Sequence, residues 1–342
     1  MNQNAATDRR RAFSLVEMMV VVAIIALLLA ALLPAFSAVR NQARYSQATA
    51  QFKALDAGIY AFRAEAALGG SLPPSSSDDR TQRQTIADPK GDGSAKIRVA
   101  GAHLLVHAMI GADGLGTPGF RDVTKPPNGT WSDDTNSKED VGIYALDPAT
   151  GKEKFPRYGG AGYVDENMKK SAESLRKLCE EGKLLHWADC QSPPNQIAGE
   201  ELMFMDPWDH PILYYKASPT AIRMTGSTGK PGVYWQEDNG IITGTDSDAV
   251  PKDGGLDFGQ GKEGGFLHHI AVAKSPEPTE TVDDIRNLKD EYKYSFARFI
   301  IDGSVKARPA PVQKDSYLLI SAGPDSHYGT DDDVTNWTRK TD

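Results

Sequence analysis

Near its carboxyl end the sequence gathers Asp325, Asp331, Asp332 and Asp333, four carboxylates within nine residues, in the turn-rich run SAGPDSHYGTDDDVTNW from 321 to 337. Carboxylates this close repel one another unless water or a hard cation lies between them, and calcium takes oxygen ligands of this kind, carbonyls included, from a flexible loop. The pattern is not an EF-hand: counted from Asp325, the alternating acids and the glycine at the sixth place are missing. A solvated acidic surface and a cation loop both fit the residues alone. No water-activating base accompanies the acids convincingly, so hydrolysis is not inferred.

The other chemistry-bearing residues are dispersed. His103 and His107 stand four apart, a spacing able to grip a metal, but no third ligand follows, and surface or half-buried helix positions are the plainer expectation. His268 and His269 give the same weak signal, and His186, His210 and His327 are scattered. Cys179 and Cys190 enclose a segment with His186, Trp187 and Asp189. Without the paired spacing of a zinc ribbon, it reads as a disulfide loop or a plain loop. A formal net charge of -8 argues against a broad nucleic-acid surface, and no nucleic-acid partner is expected.

The elements that must position these groups begin at the opposite end. Arg9-Arg10-Arg11 precedes AFSLVEMMVVVAIIALLLAALLPAF, in which residues 18–36 carry no charge. Counted with 13–16, this reaches the lower end of a bilayer-spanning length, and the arginines place the start in the cytoplasm. A secretory signal shares the basic and apolar parts, but a small-residue cleavage site after the run is poorly supported. Glu17, near its front, is costly in lipid and needs a partner. Pro34 should bend the helix instead of ending it. Val39, Tyr45, Phe52, Leu55, Ile59 and Phe62 continue at helical spacing, which predicts a helix of roughly fifty residues, apolar all round at first and amphipathic later.

Gly69-Gly70 and Leu72-Pro73-Pro74 end this helix. A short helix follows at 101–110, then a turn-rich stretch at about 118–200 with a helix near 167–179. Residues 205–215 read as a proline-bounded turn feeding a strand. Further strands are expected at 232–236, 294–301 and 317–321, with a loop over 238–265. The fold class is α+β: a long amino-terminal, partly transmembrane helix packed on a small antiparallel sheet, with a large loop-rich insertion.

Three segments carry a family resemblance. Arg11-Ala12-Phe13-Ser14-Leu15-Val16-Glu17 resembles the prepilin peptidase recognition sequence of type IV pilins and type II secretion pseudopilins, in which a basic leader ends in a small residue, Phe follows, and Glu lies five positions into the mature chain. Ala12 stands where the leader normally ends in Gly, and Pro34 falls where many members bend. Asp206-Pro207-Trp208-Asp209-His210-Pro211-Ile212-Leu213-Tyr214 is similar to the Asp-Pro-Trp-x-x-Pro-x-x-Tyr segment of major pseudopilins. The 321–337 run resembles their terminal calcium loop, commonly Gly-x-Asp-Gly-x-x-Gly-Thr-x-Asp-Asp-Ile, with Ser326 and Val334 as departures.

The resemblance implies a leader at 1–12, a helix at 13–66 with its transmembrane half at 13–36, and a head at 67–342 that includes the insertion and the acidic loop. It implies cleavage between Ala12 and Phe13, methylation of the new amine, and a meeting of Glu17 with the Phe13 amine of a neighbouring subunit. Calcium would be held structurally by Asp325, Asp332 and Asp333, with Asp331 and nearby carbonyls as further ligands. The implied partners are further copies, other pseudopilins, a prepilin peptidase/methylase, an inner-membrane assembly platform, and lipid before assembly. The implied location is single-pass in the inner membrane with a periplasmic head, then a pseudopilus fibre. The function implied is a structural subunit of a type II secretion pseudopilus supporting export of folded proteins, not an enzyme. The alternatives are another type IV pilus-like filament for adhesion, motility or DNA uptake, and a membrane-anchored periplasmic enzyme.

Overall fold

The computed structural model describes residues 15–64, 70–75, 85–87, 96–111, 162–183, 202–218, 220–226, 232–244, 268–271, 274–277, 279–288, 292, 295–305 and 308–338. The chain divides into two units, 1–46 and 47–342.

The first unit holds the beginning of α1 (Leu15–Ala64), a helix rich in Leu and Ala, both good helix formers, with Glu17 in the first turn where it complements the helix dipole. The helix is continuous through position 34. Val39, expected on the buried stripe, is 67% exposed.

The transmembrane half at 13–36 is corrected: among the described residues no helix is long and apolar enough to cross a membrane. The single-pass inner-membrane placement, with its cytoplasmic start, periplasmic head and lipid contact, rested on that span and falls with it.

The second unit is organised by an antiparallel sheet of three strands, β5 (Leu213–Lys216), β8 (Tyr317–Ser321) and β9 (Val334–Thr335), in the order β5-β8-β9. Leu213 pairs with Ile320 and Lys216 with Tyr317. The period-two alternation of strand side chains sends Leu213, Tyr215, Leu318 and Ile320 into one apolar cluster and Tyr214, Tyr317 and Leu319 into another, so the sheet is buried on both faces. This explains why YLLIS reads as an unbroken apolar run.

On the Tyr214 face lie Phe52, Leu55, Ile59 and Phe62 of α1 and residues 104–110 of α2 (Gly101–Ile110), whose Ala102 joins the other cluster. A Cβ on Gly101 would fall 2.2 Å from the Tyr214 carbonyl oxygen, so only glycine lets α2 lie against β5 here. His103 and His107 are buried, 0% and 2% exposed, which corrects the surface expectation. The His103 Nδ1 accepts the Ala100 N–H at 2.9 Å, so this ring caps its own helix.

On the opposite face lie the parallel pair β6 (Arg223–Gly226) and β7 (Gly232–Trp235), with Leu175, Leu178, Phe296 and Ile300. Two readings change here. The helix expected near 167–179 is α3 (Glu166–Lys170) and α4 (Leu175–Glu180), separated by β3 (Ala172–Ser174), which pairs antiparallel with β4 (Leu202–Phe204). Met168, Leu175 and Leu178 are buried, so this part of the supposed insertion belongs to the core. The strand expected at 294–301 is a helix, α6 (Phe296–Ile300), started by Ser295, whose hydroxyl accepts the Arg298 N–H at 3.2 Å. The loop expected from 238 opens instead with helical turns at Gln236–Asn239 and α5 (Gly240–Thr243). A further antiparallel pair joins β1 (Thr85–Ala87) and β2 (Lys96–Arg98).

Candidate cation-binding loop

The acidic loop leaves the sheet at β8 and rejoins it at β9, where Ser321 pairs with Val334. Asn336 fastens the neck: its Oδ1 accepts the Leu319 N–H at 2.9 Å and its Nδ2 donates to the Tyr317 carbonyl at 3.2 Å.

Within the loop the carboxylates are held by backbone amides. Asp332 Oδ2 accepts the Asp325 N–H at 3.1 Å, Asp325 Oδ1 accepts the His327 N–H at 2.8 Å, and Asp333 Oδ2 accepts the Gly329 N–H at 2.8 Å. The Thr330 hydroxyl donates to Asp332 Oδ1 and lies 3.2 Å from Asp333 Oδ1. Gly323 has φ +66, and a Cβ there would lie 2.5 Å from the Asp332 carbonyl oxygen, so this position needs glycine twice over.

Asp325, Asp332 and Asp333 thereby bring one carboxylate oxygen each to within 4.8 Å of one another. Burial pushes the Asp325 carboxyl above its ordinary range and the Asp332 charge adds to this, while the His327 amide and Thr330 hydroxyl oppose it. An oxygen-only set with three formal negative charges is the donor chemistry of a hard divalent cation, which would relieve the repulsion. These residues can chelate such an ion. Asp331 is exposed and lies outside the group.

The loop is braced from outside by residues remote in sequence. The Ser321 hydroxyl donates to Asp206 Oδ2 at 2.6 Å. Asp206 Oδ1 accepts the amides of Trp208 at 2.8 Å and His210 at 2.9 Å, which folds the Asp-Pro-Trp segment into a turn. Asp209 closes that turn at φ 67, with Lys183 Nζ 3.0 Å from its Oδ1. Tyr328 is fully buried; its hydroxyl donates to the Pro211 carbonyl at 2.6 Å, and its amide donates to His268 Nδ1 at 3.3 Å.

The remaining candidates do not join this site. Ala12, Phe13, Cys190, His186, Trp187 and Asp189 lie outside the described residues; Cys179 sits in α4, and Pro34 lies within α1. Among the described residues, the three aspartates form the only group of three or more metal-ligating side chains close enough to share an ion. Sequence reasoning missed Ser321 and His268 as supports. Ser321 follows a legible strand, whereas the His268 contact spans sixty residues and leaves no local pattern.

The prokaryotic N-terminal methylation motif matches residues 7–33. The match ties the chain to the type IV pilin and pseudopilin superfamily without selecting a member, and implies interaction with a partner of the prepilin peptidase/methylase type. No curated protein and no solved structure matches the chain.

Proposed function

We propose that this chain, tied through its amino terminus to the type IV pilin and pseudopilin superfamily, is a structural subunit of a type II secretion pseudopilus that supports export of folded proteins. The observation that carries the reading is the methylation motif at 7–33 on a chain whose Asp206 turn and acidic loop are hydrogen-bonded neighbours. A filament subunit acts by repeated contact, and we assign this chain no catalytic role.

In this reading the peptidase cuts between Ala12 and Phe13, and the new amine is methylated. Glu17 then meets the Phe13 amine of the next subunit, so that two charges enter an apolar fibre interior paired, where either alone would be costly. Further copies, other pseudopilins and an assembly platform are the partners.

The cation is calcium, held by Asp325, Asp332 and Asp333 with loop carbonyls and water. Calcium accepts irregular, flexible oxygen cages, whereas magnesium demands near-octahedral geometry. Bound there, it supplies charge neutralisation and fixes a surface for the neighbouring subunit.

Glu17→Leu in the source cells tests the function. Fibre assembly and export of folded proteins should both be lost while the chain still accumulates. Intact export would overturn the secretion reading, and lost surface fibres with intact export would transfer the chain to another pilus-like filament.

A further inference from the structure

We infer that His268 is a positioning residue for the cation loop, acting through the backbone amide of Tyr328; the inference rests on the calcium reading above. The loop must reverse between Asp325 and the Asp332–Asp333 pair, and the pivot of that reversal is Tyr328-Gly329. Gly329 turns the chain at φ +97 and donates its amide to Asp333 Oδ2 at 2.8 Å. The preceding amide, from Tyr328, is buried and donates to His268 Nδ1 at 3.3 Å, with the two rings' centroids 5.1 Å apart. His268 is 3% exposed, so water does not readily substitute for it.

The same short segment supplies the steric floor of the pivot. A Cβ on Gly329 would lie 2.7 Å from Ile270 Cγ2 and 2.8 Å from His269 Cβ. The pivot is therefore seated on His269 and Ile270 and bound to this segment by the hydrogen bond from the Tyr328 amide to His268 Nδ1. The Tyr328 hydroxyl on the Pro211 carbonyl restrains the ring, and the His327 carbonyl of the same peptide accepts the Thr330 hydroxyl at 3.3 Å, so His268 holds the amide edge of a peptide whose carbonyl edge is held within the loop. Orienting the 328–329 peptides aims the Gly329 amide at Asp333, and through it sets where Asp333 meets Asp325. Holding a ligand loop in its bound form before the ion arrives reduces the ordering that binding must impose, which raises affinity.

The acceptor at Nδ1 is what matters, and substitution can isolate it. Asn carries its side-chain oxygen at a comparable distance from the backbone; Leu keeps much of the volume and offers no acceptor. Calcium alone is titrated calorimetrically into the metal-free full chain, alongside amide hydrogen exchange at Tyr328. H268L should bind calcium about tenfold more weakly with faster Tyr328 exchange, and H268N should recover both to within about threefold of the unaltered chain. Volume loss alone would not be rescued by Asn. Unchanged calcium affinity in H268L, or equal loss in H268N, overturns the inference. An unaltered chain that takes up no calcium overturns the calcium reading first and this inference with it. Should H268L fail to fold, H268Q, whose amide oxygen lies one bond further out, replaces it with the same tenfold loss expected, and full affinity there counts against the inference.

Discussion

The Ser321 hydroxyl donates to Asp206 Oδ2 at 2.6 Å, and this one bond joins the Asp-Pro-Trp turn to the strand that launches the acidic loop. The strands that follow the turn and precede the loop, β5 and β8, are paired neighbours, so two segments more than a hundred residues apart form one corner of the head. Asp206→Ala leaves two amides and a hydroxyl without their acceptor and should destabilise the chain by about 2–4 kcal/mol; Ser321→Ala should cost about 1–2 kcal/mol. In a double-mutant cycle read by denaturant midpoint at constant m, the two changes should be strongly non-additive. Additive losses would show that the two sites are stabilised independently.

Calcium should stabilise the chain by mass action. At a concentration one hundred times Kd, the gain in unfolding free energy should be about 2.7 kcal/mol. Asp332→Asn together with Asp333→Asn should abolish the gain, whereas Asp331→Asn should retain most of it, because Asp331 is exposed and stands apart from the other three. Thermal melts with and without calcium report both. Equal loss in the Asp331 variant would mean that the loop closes differently around the ion.

A second carboxylate gives the head a pH dependence. Burial raises the Asp56 pKa above its ordinary 3.8, and the hydrogen bond from Tyr317, 2.7 Å to Oδ1, opposes this. A raised folded-state value means that the stability contributed by Asp56 is present below the ordinary value and is lost as pH rises through the folded one. Asp56→Asn retains an acceptor for Tyr317 and carries no charge to bury. Its stability relative to the unaltered chain should therefore rise between acidic and neutral pH, measured as denaturant midpoints at matched ionic strength. A pH-independent difference would mean that Asp56 does not titrate with folding.

Where the physics was local, the sequence was readable. YLLIS announced a strand, and Asp206 followed by Pro207 announced a turn. The cluster of four aspartates was legible, but which of them converge was not readable from the residues alone, since that depends on how Gly323 and Gly329 fold the loop. FARFI is too short for periodicity to separate helix from strand, and the Ser295 cap decided it. The burial of His103 and His107 depends on Gly101 resting against the Tyr214 carbonyl, a contact set by tertiary packing. The membrane reading rested on a count of uncharged residues from 18 to 36, and among the described residues no helix is long and apolar enough to cross a membrane.

The most direct test of the account is the mass of the amino-terminal peptide of the protein isolated from its source cells, where the processing partner is present. The account predicts a peptide beginning with N-methylated Phe13, as the motif over 7–33 and the position of Glu17 require of a matured filament subunit. A peptide beginning at Met1 would contradict it.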